Sequence, residues 1–580
     1  MPIAAHQNSA IQDDLQWSVA ELYAIRGMNT RDNELSLVPE EFTNITNFWI
    51  RGRKIIKRAG SSALGTSPAS QKALILGHLE QDSGQTLLML LGNGTLYKYS
   101  GGTWTASDKT DYSSTAEGTI VTFTDKSGSS VVSGTSTSGS TKYLIEDTTK
   151  TWTANQYAGF CVTIEGETKY ISSNTATVLF LSDRLDNDTD SAYQTKSYTI
   201  HAIAPFAIIA NGSANLQKYD LTTHTGITGI SANPFKFLAV HQGRLWGAAD
   251  EGNNNDRVNI GDTGLAGTFT KDTNLNINLQ FYNDGDALKG IMSLPLNQGS
   301  VLIAPKKYST HIVEGDNVLN YRTRPIFSKS GCASHKTLQV AGKTAVMVNM
   351  NHEVIRFTGE DGVAGLEKPV PISDPIQETL DAETDANIQA ASAGIWDNKY
   401  ILSVGDNCYY YDLLESIRIE QHVWGKIDFP FSINCFHSIG DILYAGDRDT
   451  GAVYQLFTGN QDTGSVNITG TLETAATTFP GGMVGWVERV EMQISEQAST
   501  IMRLQYKLDG EDNYGEVIPR TLDQERRMYS FPIKERCRSI KFRFTENGSN
   551  AAIHIALPIR VVYSVESIHD DTTKADLTTY

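Results

Sequence analysis

The stretch LLMLLGNGTLYKYSGGTW, from Leu87 to Trp104, decides the fold. An apolar run meets Gly92-Asn93-Gly94, a second run carries Tyr97 and Tyr99, and Gly101-Gly102 reverses the chain again before Trp104. Apolar and aromatic runs joined by Asn-Gly and Gly-Gly turns form β-hairpins. The same unit returns loosely as FAIIANGSANLQKYDL, FKFLAVHQGRLWGAA, SVLIAPKKYSTHIVEG, TAVMVNMNHEVIRFTG, DNKYILSVGDNCYYYDL and DILYAGDRDTGAVYQLFTG. Several spacings of roughly 40 to 60 residues suit four-stranded propeller blades. The expected fold is all-β: a β-propeller of six to eight blades, a small inserted β domain and a C-terminal β-sandwich. A sandwich of hairpins is the competing architecture.

Four segments follow. Residues 1–107 form an N-terminal segment and the first blade or blades. Residues 108–197 are the inserted β domain, opening on the Ser/Thr/Gly-rich TDKSGSSVVSGTSTSGSTKY. Residues 198–465 hold the remaining blades. Residues 466–580 are the sandwich and tail, where WVERVEMQISE, TIMRLQYKLDG and RSIKFRFTEN alternate with period two. One helix is expected from Ser373 to Ala393, with Asp374-Pro375 in its first turn.

The 580 residues carry a formal net charge of -18, with 48 basic and 66 acidic side chains. Such a balance disfavours general binding to nucleic acid. The five cysteines are scattered, with no C-x-x-C pair, so they are read as buried thiols in a reducing compartment. The first residues lack a basic stretch followed by an apolar run, so no secretory signal is expected. The longest apolar run contains Pro205 and is too short to span a bilayer.

Few residues suggest chemistry. No nucleophile elbow, zinc-protease or phosphate-loop motif occurs. DNDTD, Asp186 to Asp190, lacks the later glycine and glutamate of a calcium loop and reads as a solvated turn. Asp447, Arg448 and Asp449 read as a turn, and His241 as a structural histidine beside a hairpin turn. No catalytic residue, cofactor or metal is expected. The candidate contact residues lie in NFWIRGRKIIKRAG, Asn47 to Gly60: Arg51, Arg53, Lys54, Lys57 and Arg58. As one strand, this stretch would place charge on both faces. Pairing with acids inside the fold is therefore weighed against contact with DNA or a partner.

The opening GMNTRDNELSLVPEEFTNITNFWIRGRKIIKRAG resembles that of tail nozzle and hub proteins of short-tailed phages, the tail tubular protein B type and the packaged-DNA stabilisation type. The matching features are Gly27-Met28-Asn29, Asn44 with Asn47, and Lys57-Arg58-Ala59-Gly60, where Ala59 replaces the usual proline. FKFLAVHQGRLWGA, IFSKSGCASHKTLQVAGKTAVMVN and AVYQLFTGNQDTG resemble propeller strands of the same group. The resemblance implies a structural virion protein made in the host cytoplasm. It would form a ring, usually a homohexamer, at the distal end of the tail. It implies contact with an adaptor or portal-proximal protein, with fibres or a needle, and with passing genomic DNA without sequence specificity. A baseplate, fibre-attachment or receptor-binding propeller, and a secreted carbohydrate-active propeller, are the alternatives.

Overall fold

The computed structural model describes residues 17–565, apart from 115–117, 127, 129, 213–215, 228–234, 249–255, 262–263, 266–278, 281–284, 297–298, 316–319, 328, 360–368, 496–499, 524–526 and 549–552. Each hairpin quoted above forms an antiparallel pair. Leu88–Leu90, for example, pairs with Leu96–Lys98. Asn93 accepts the Thr95 N–H at 3.0 Å, which closes that turn locally.

The hairpins build four-stranded sheets. The first runs from Ala73–Gln81 to Thr103–Ala106, and the second joins Thr119–Asp125 to Ala204–Ala210, Gln217–Tyr219 and His224–Gly226. Three more span residues 237–280, 292–327 and 339–371. A sixth set, Ser392–Trp396 to Trp424–Ile427, is the start of a ten-stranded sheet. In the seventh, Ile433–Ile439, Ile442–Asp447 and Val453–Leu456 take their outer strand from far back in the chain, Ser61–Ala63. The first strand of each sheet packs against that of the next, and the seventh against the first. The architecture is propeller-like, with further β-sheet regions attached.

The excursion lies within the second sheet. Its six strands, between Ser130 and His201, surround their own core of Trp152, Tyr157, Val162, Ile171, Leu179 and Tyr198. Thr119–Asp125, inside the segment assigned to the insert, instead pairs along its length with Ala204–Ala210. Alternation alone could not separate it from the insert's strands, because both sheets share the period of two. The buried Asp125 closes this neck by accepting from Lys218 Nζ at 3.1 Å. Excising residues 127–202 and bridging Lys126 to Ile203 with Asn-Gly is expected to leave the remainder folded. Its unfolding temperature should move by no more than about 3 °C, checked by circular dichroism on heating.

The sandwich draws on both ends of the chain. One sheet contains Phe48–Arg51, Lys54–Lys57, His554–Val565, Gly485–Ser495 and Met528–Cys537, with Ser18–Leu22 also on His554–Val565. The other contains Phe42–Thr46, Gly470–Thr474, Ser539–Glu546, Thr500–Leu508 and Ile518–Leu522. The N-terminal strands up to Lys57 thus complete the sandwich rather than enter the propeller. Phe42, Ile45, Phe48, Ile50 and Ile55 are buried in its core. A parallel pairing, Thr46 with Lys426, makes the second sandwich sheet continuous with the sixth propeller sheet. One core accordingly runs from Tyr400, Tyr411 and Trp424 to Leu472, Phe531 and Phe542.

The expected helix is broken. Asp374–Ile376 forms a 3-10 turn, Gln377–Asp381 and Asp385–Ala390 are short α-helices, and Thr384 caps the second by accepting the Asn387 N–H at 3.2 Å. An unforeseen helix, Leu413–Ile419, starts at Asp412, which accepts the Glu415 N–H at 2.9 Å. All five cysteines are buried free thiols. No helix among the described residues is long and apolar enough to cross a membrane.

Candidate functional site

Asn47–Gly60 is a hairpin and its exit. Phe48–Arg51 pairs with Lys54–Lys57 around a turn at Gly52, whose φ is +60°. The hairpin divides the five basic residues. Arg51, Arg53 and Lys54 lie exposed at its tip, and Arg51 pairs there with Asp397. The Gly52 N–H donates to Glu415 Oε1 at 3.0 Å, which ties the tip to the helix Leu413–Ile419.

Lys57 and Arg58 turn inward. Lys57 is 5% exposed and Arg58 3%, so neither is available to DNA. Lys57 Nζ donates to Glu546 Oε2 at 2.5 Å and to the Gly548 carbonyl at 3.2 Å. Glu546 Oε1 in turn accepts from the Thr500 hydroxyl at 2.5 Å. Burial pulls the Lys57 pKa below its ordinary value, and Glu546 opposes that pull. Arg58 spends all five of its N–H donors. Its Nε donates to Asn47 Oδ1 at 2.6 Å, and its two terminal nitrogens donate to both Asp462 oxygens at 2.9 and 2.5 Å. The remaining two reach the carbonyls of Ala59 at 3.0 Å and Asp428 at 2.6 Å. The guanidinium also lies 4.6 Å from the Phe429 ring centre.

Asn47 holds this cluster from the other side. It sits at φ +63°, donates to the Thr469 carbonyl at 2.8 Å, and accepts the Asp428 N–H at 2.9 Å. Asp462 Oδ1 also accepts from Ser61, beside the strand that finishes the seventh sheet. Asn47, Lys57, Arg58 and Asp462 therefore join the opening segment, the last propeller sheet and the sandwich. Gly27-Met28-Asn29 has a comparable local task. Met28 N–H donates to the Trp424 carbonyl at 2.8 Å, and a Cβ on Gly27 would stand 2.7 Å from that same oxygen.

A second feature is the cavity of about 480 Å³ between the first strands of the propeller-like sheets. Apolar side chains such as Ile75, Ile120, Val240, Met292 and Leu338 line most of it, with His335, Lys336, Ser293 and His437 supplying polarity. Lys336 Nζ donates to the Asn434 carbonyl and side chain at 3.1 and 3.2 Å. At its edge, His78 Nδ1 and His437 Nε2 stand 2.8 Å apart, on the first strands of the first and seventh sheets. Burial lowers both imidazole pKa values, so both are neutral at neutral pH. Among the described residues, no group of three or more His, Cys, Asp or Glu is placed to hold a metal ion.

No family model and no curated protein matches the chain. Among solved structures, it is similar to BBS1N in complex with ARL6DN, at 11% identity and TM-score 0.37, over 70% of this chain and 98% of that one. It is similar to BamB from Moraxella catarrhalis at 10% identity and TM-score 0.32, over 71% of this chain and 93% of that one. The Dos1 propeller matches at 9% identity and TM-score 0.37, over 69% of this chain and 96% of that one. None of the three speaks for the tail-protein resemblance. Similarity at this level leaves function to be argued from the chain's own residues.

The motifs set aside earlier are engaged in turns. Asp447 accepts the N–H groups of Asp449 and Thr450 at 2.6 and 2.8 Å. Asp186 pairs with Lys169, and Asp188 with Arg184. His241 is buried, with Nδ1 2.9 Å from the Ser293 hydroxyl and Nε2 making no hydrogen bond. Burial pushes its pKa down to about 4. The neutral form is favoured in the fold, so the unfolded chain takes up the proton first on acidification. The full stability is present above the unfolded value of about 6.5 and is lost as pH falls towards 4, by about 3 kcal/mol. Urea unfolding at pH 7.5 and 4.5 checks this: His241→Gln should show a smaller acid loss than the parent.

His78 and His437 carried no sequence signal, because they are 359 residues apart and meet only where Ile433–Ile439 packs against Ala73–Gln81. Asp462 likewise stood in an ordinary Gly/Asn/Asp turn sequence.

Proposed function

We propose that the chain is a structural virion protein, a nozzle or hub subunit at the distal end of a short phage tail, and that it performs no catalysis. The propeller-like part is a closed ring of seven blades, and copies of the chain assemble into a larger ring, a hexamer, around the path of the leaving genome. An adaptor or portal-proximal protein meets one side of that ring, and fibres or a needle meet its outside. The excursion at Ser130–His201 offers loops for such docking. Heterologous interfaces that close are what such a ring requires.

The observation that supports this reading is the continuous sheet from Ser392–Trp396 through Trp424–Ile427 and Phe42–Thr46 into the sandwich. Backbone hydrogen bonds, one shared core and the buried Arg58–Asp462 pair couple the propeller-like part to the sandwich, and the Lys57–Glu546 pair braces the sandwich's two sheets. A jointless body of this kind suits a wall element that must keep its shape under load. The net charge of -18 limits sticking of the DNA backbone during passage. The opening resemblance at Gly27-Met28-Asn29 and Lys57–Gly60 supplies the choice of tail over other assemblies.

Native mass measurement and electron micrographs of the purified chain test the proposal. A ring of several copies with a central channel, matching the tip of an isolated tail, is the expected result. A stable monomer with affinity for glycans would overturn it.

A further inference from the structure

We propose that His78 and His437 form a two-histidine site for a divalent transition metal of right-angled geometry, nickel(II) or copper(II), at the seam between the first and seventh sheets. The two rings come from different strands, Ala73–Gln81 and Ile433–Ile439, which are neighbours only because the ring of sheets comes round on itself. Their near nitrogens are 2.8 Å apart, and their ring centres 5.0 Å apart at an interplanar angle of 43°.

Histidine nitrogens bind such ions at about 2.0–2.1 Å, so two nitrogens 2.8 Å apart subtend close to a right angle at a shared ion. A tetrahedral zinc would want them roughly 3.3 Å apart. Square or octahedral ions accept adjacent ligands at right angles. The open cavity beside His437 supplies water for the other positions. Glu80 adds a negative field at His78, which favours a cation there. One of the two facing nitrogens carries the proton of their hydrogen bond, and moving it to the far nitrogen of the same neutral ring gives two facing lone pairs. Among the described residues these two ring nitrogens hydrogen-bond to each other and to no carboxylate or carbonyl, so an ion would have that one bond to displace. The bound ion would bridge the two sheets that complete the ring and so stabilise it by linkage.

Equilibrium dialysis of the chelator-stripped, full-length chain against nickel(II), with metal analysis, tests the site. One nickel per chain is expected, bound at least tenfold more tightly than by His78→Gln/His437→Gln. Nickel should raise the unfolding temperature of the parent and not of that double variant. Copper(II) loaded at one equivalent should show two equatorial nitrogens by electron paramagnetic resonance, and lose them in the double variant. Each single variant, His78→Gln and His437→Gln, should keep the parent's circular dichroism while losing at least tenfold in affinity. Equal nickel binding by parent and double variant, or tighter zinc than nickel binding at one site per chain, overturns the assignment. So does a parent that binds no nickel at millimolar concentration, which would make the pair an ordinary hydrogen bond between imidazoles. Each of these outcomes is independent of whether the chain forms a tail ring.

Discussion

Asp462→Ala is expected to lower the stability of the folded chain by about 3–5 kcal/mol, because it strands a buried guanidinium. Arg58 would lose two charge-assisted bonds, at 2.9 and 2.5 Å, in a site where it is 3% exposed. Asn47, Ala59 and Asp428 would still hold the side chain in place, so it could not swing out to water. Ser61 would lose its acceptor as well, at the strand that completes the seventh sheet. Differential scanning calorimetry should show a lower transition, split in two if sandwich and propeller then unfold separately. Arg58→Met/Asp462→Leu should recover much of the loss, since removing both charges leaves neither unpaired. If Asp462→Ala unfolds at the parent's temperature, the cluster does not join the two parts as described.

Gly60→Ala should be comparably severe, for steric reasons alone. A Cβ there would lie 2.0 Å from the Gln461 carbonyl oxygen and 2.7 Å from the Gln461 nitrogen. Both are backbone atoms, and Gly60 itself exchanges hydrogen bonds with Gly459 and Thr458 across this contact. The methyl could be accommodated only by separating Gly60 from the Gln461 backbone, next to the outer strand Ser61–Ala63. The loss should exceed the about 1–3 kcal/mol usual for overpacking. Reduced soluble yield and early proteolysis near residues 58–64 are the readouts. Ala59→Pro in the same background separates backbone stiffness from steric contact, because it adds no atom at position 60.

Much of the architecture was legible because hairpins are local. Leu87–Trp104 and Asp441–Gly459 contain both strands and the turn, so period and turn residues sufficed. Partnerships across hundreds of residues left no such trace. Phe42–Thr46 reads as a short strand but nothing in it names Gly470–Thr474 as its neighbour. The basic cluster stayed undecided for the same reason. The sequence left Lys57 and Arg58 between pairing with acids and contact with DNA or a partner, because their counter-charges, Glu546 and Asp462, lie 489 and 404 residues away. Only the tip, Arg51, Arg53 and Lys54, behaves as its composition suggests. The broken helix at Ser373–Ala393 failed on a local point: Thr384 is a better cap than interior residue.

The origin of the seventh sheet's outer strand dictates an order of events during synthesis. Ser61–Ala63 leaves the ribosome early, yet its partner Val453–Leu456 emerges almost four hundred residues later. The hairpin at Phe48–Lys57 waits longer still, until His554–Ala556 arrives. Chains growing at about 5–20 residues per second would leave these strands without those distant partners for tens of seconds. The earliest part of the chain is thus the last to be secured, and every unfinished chain exposes an edge ready to pair with the matching strand of a neighbour.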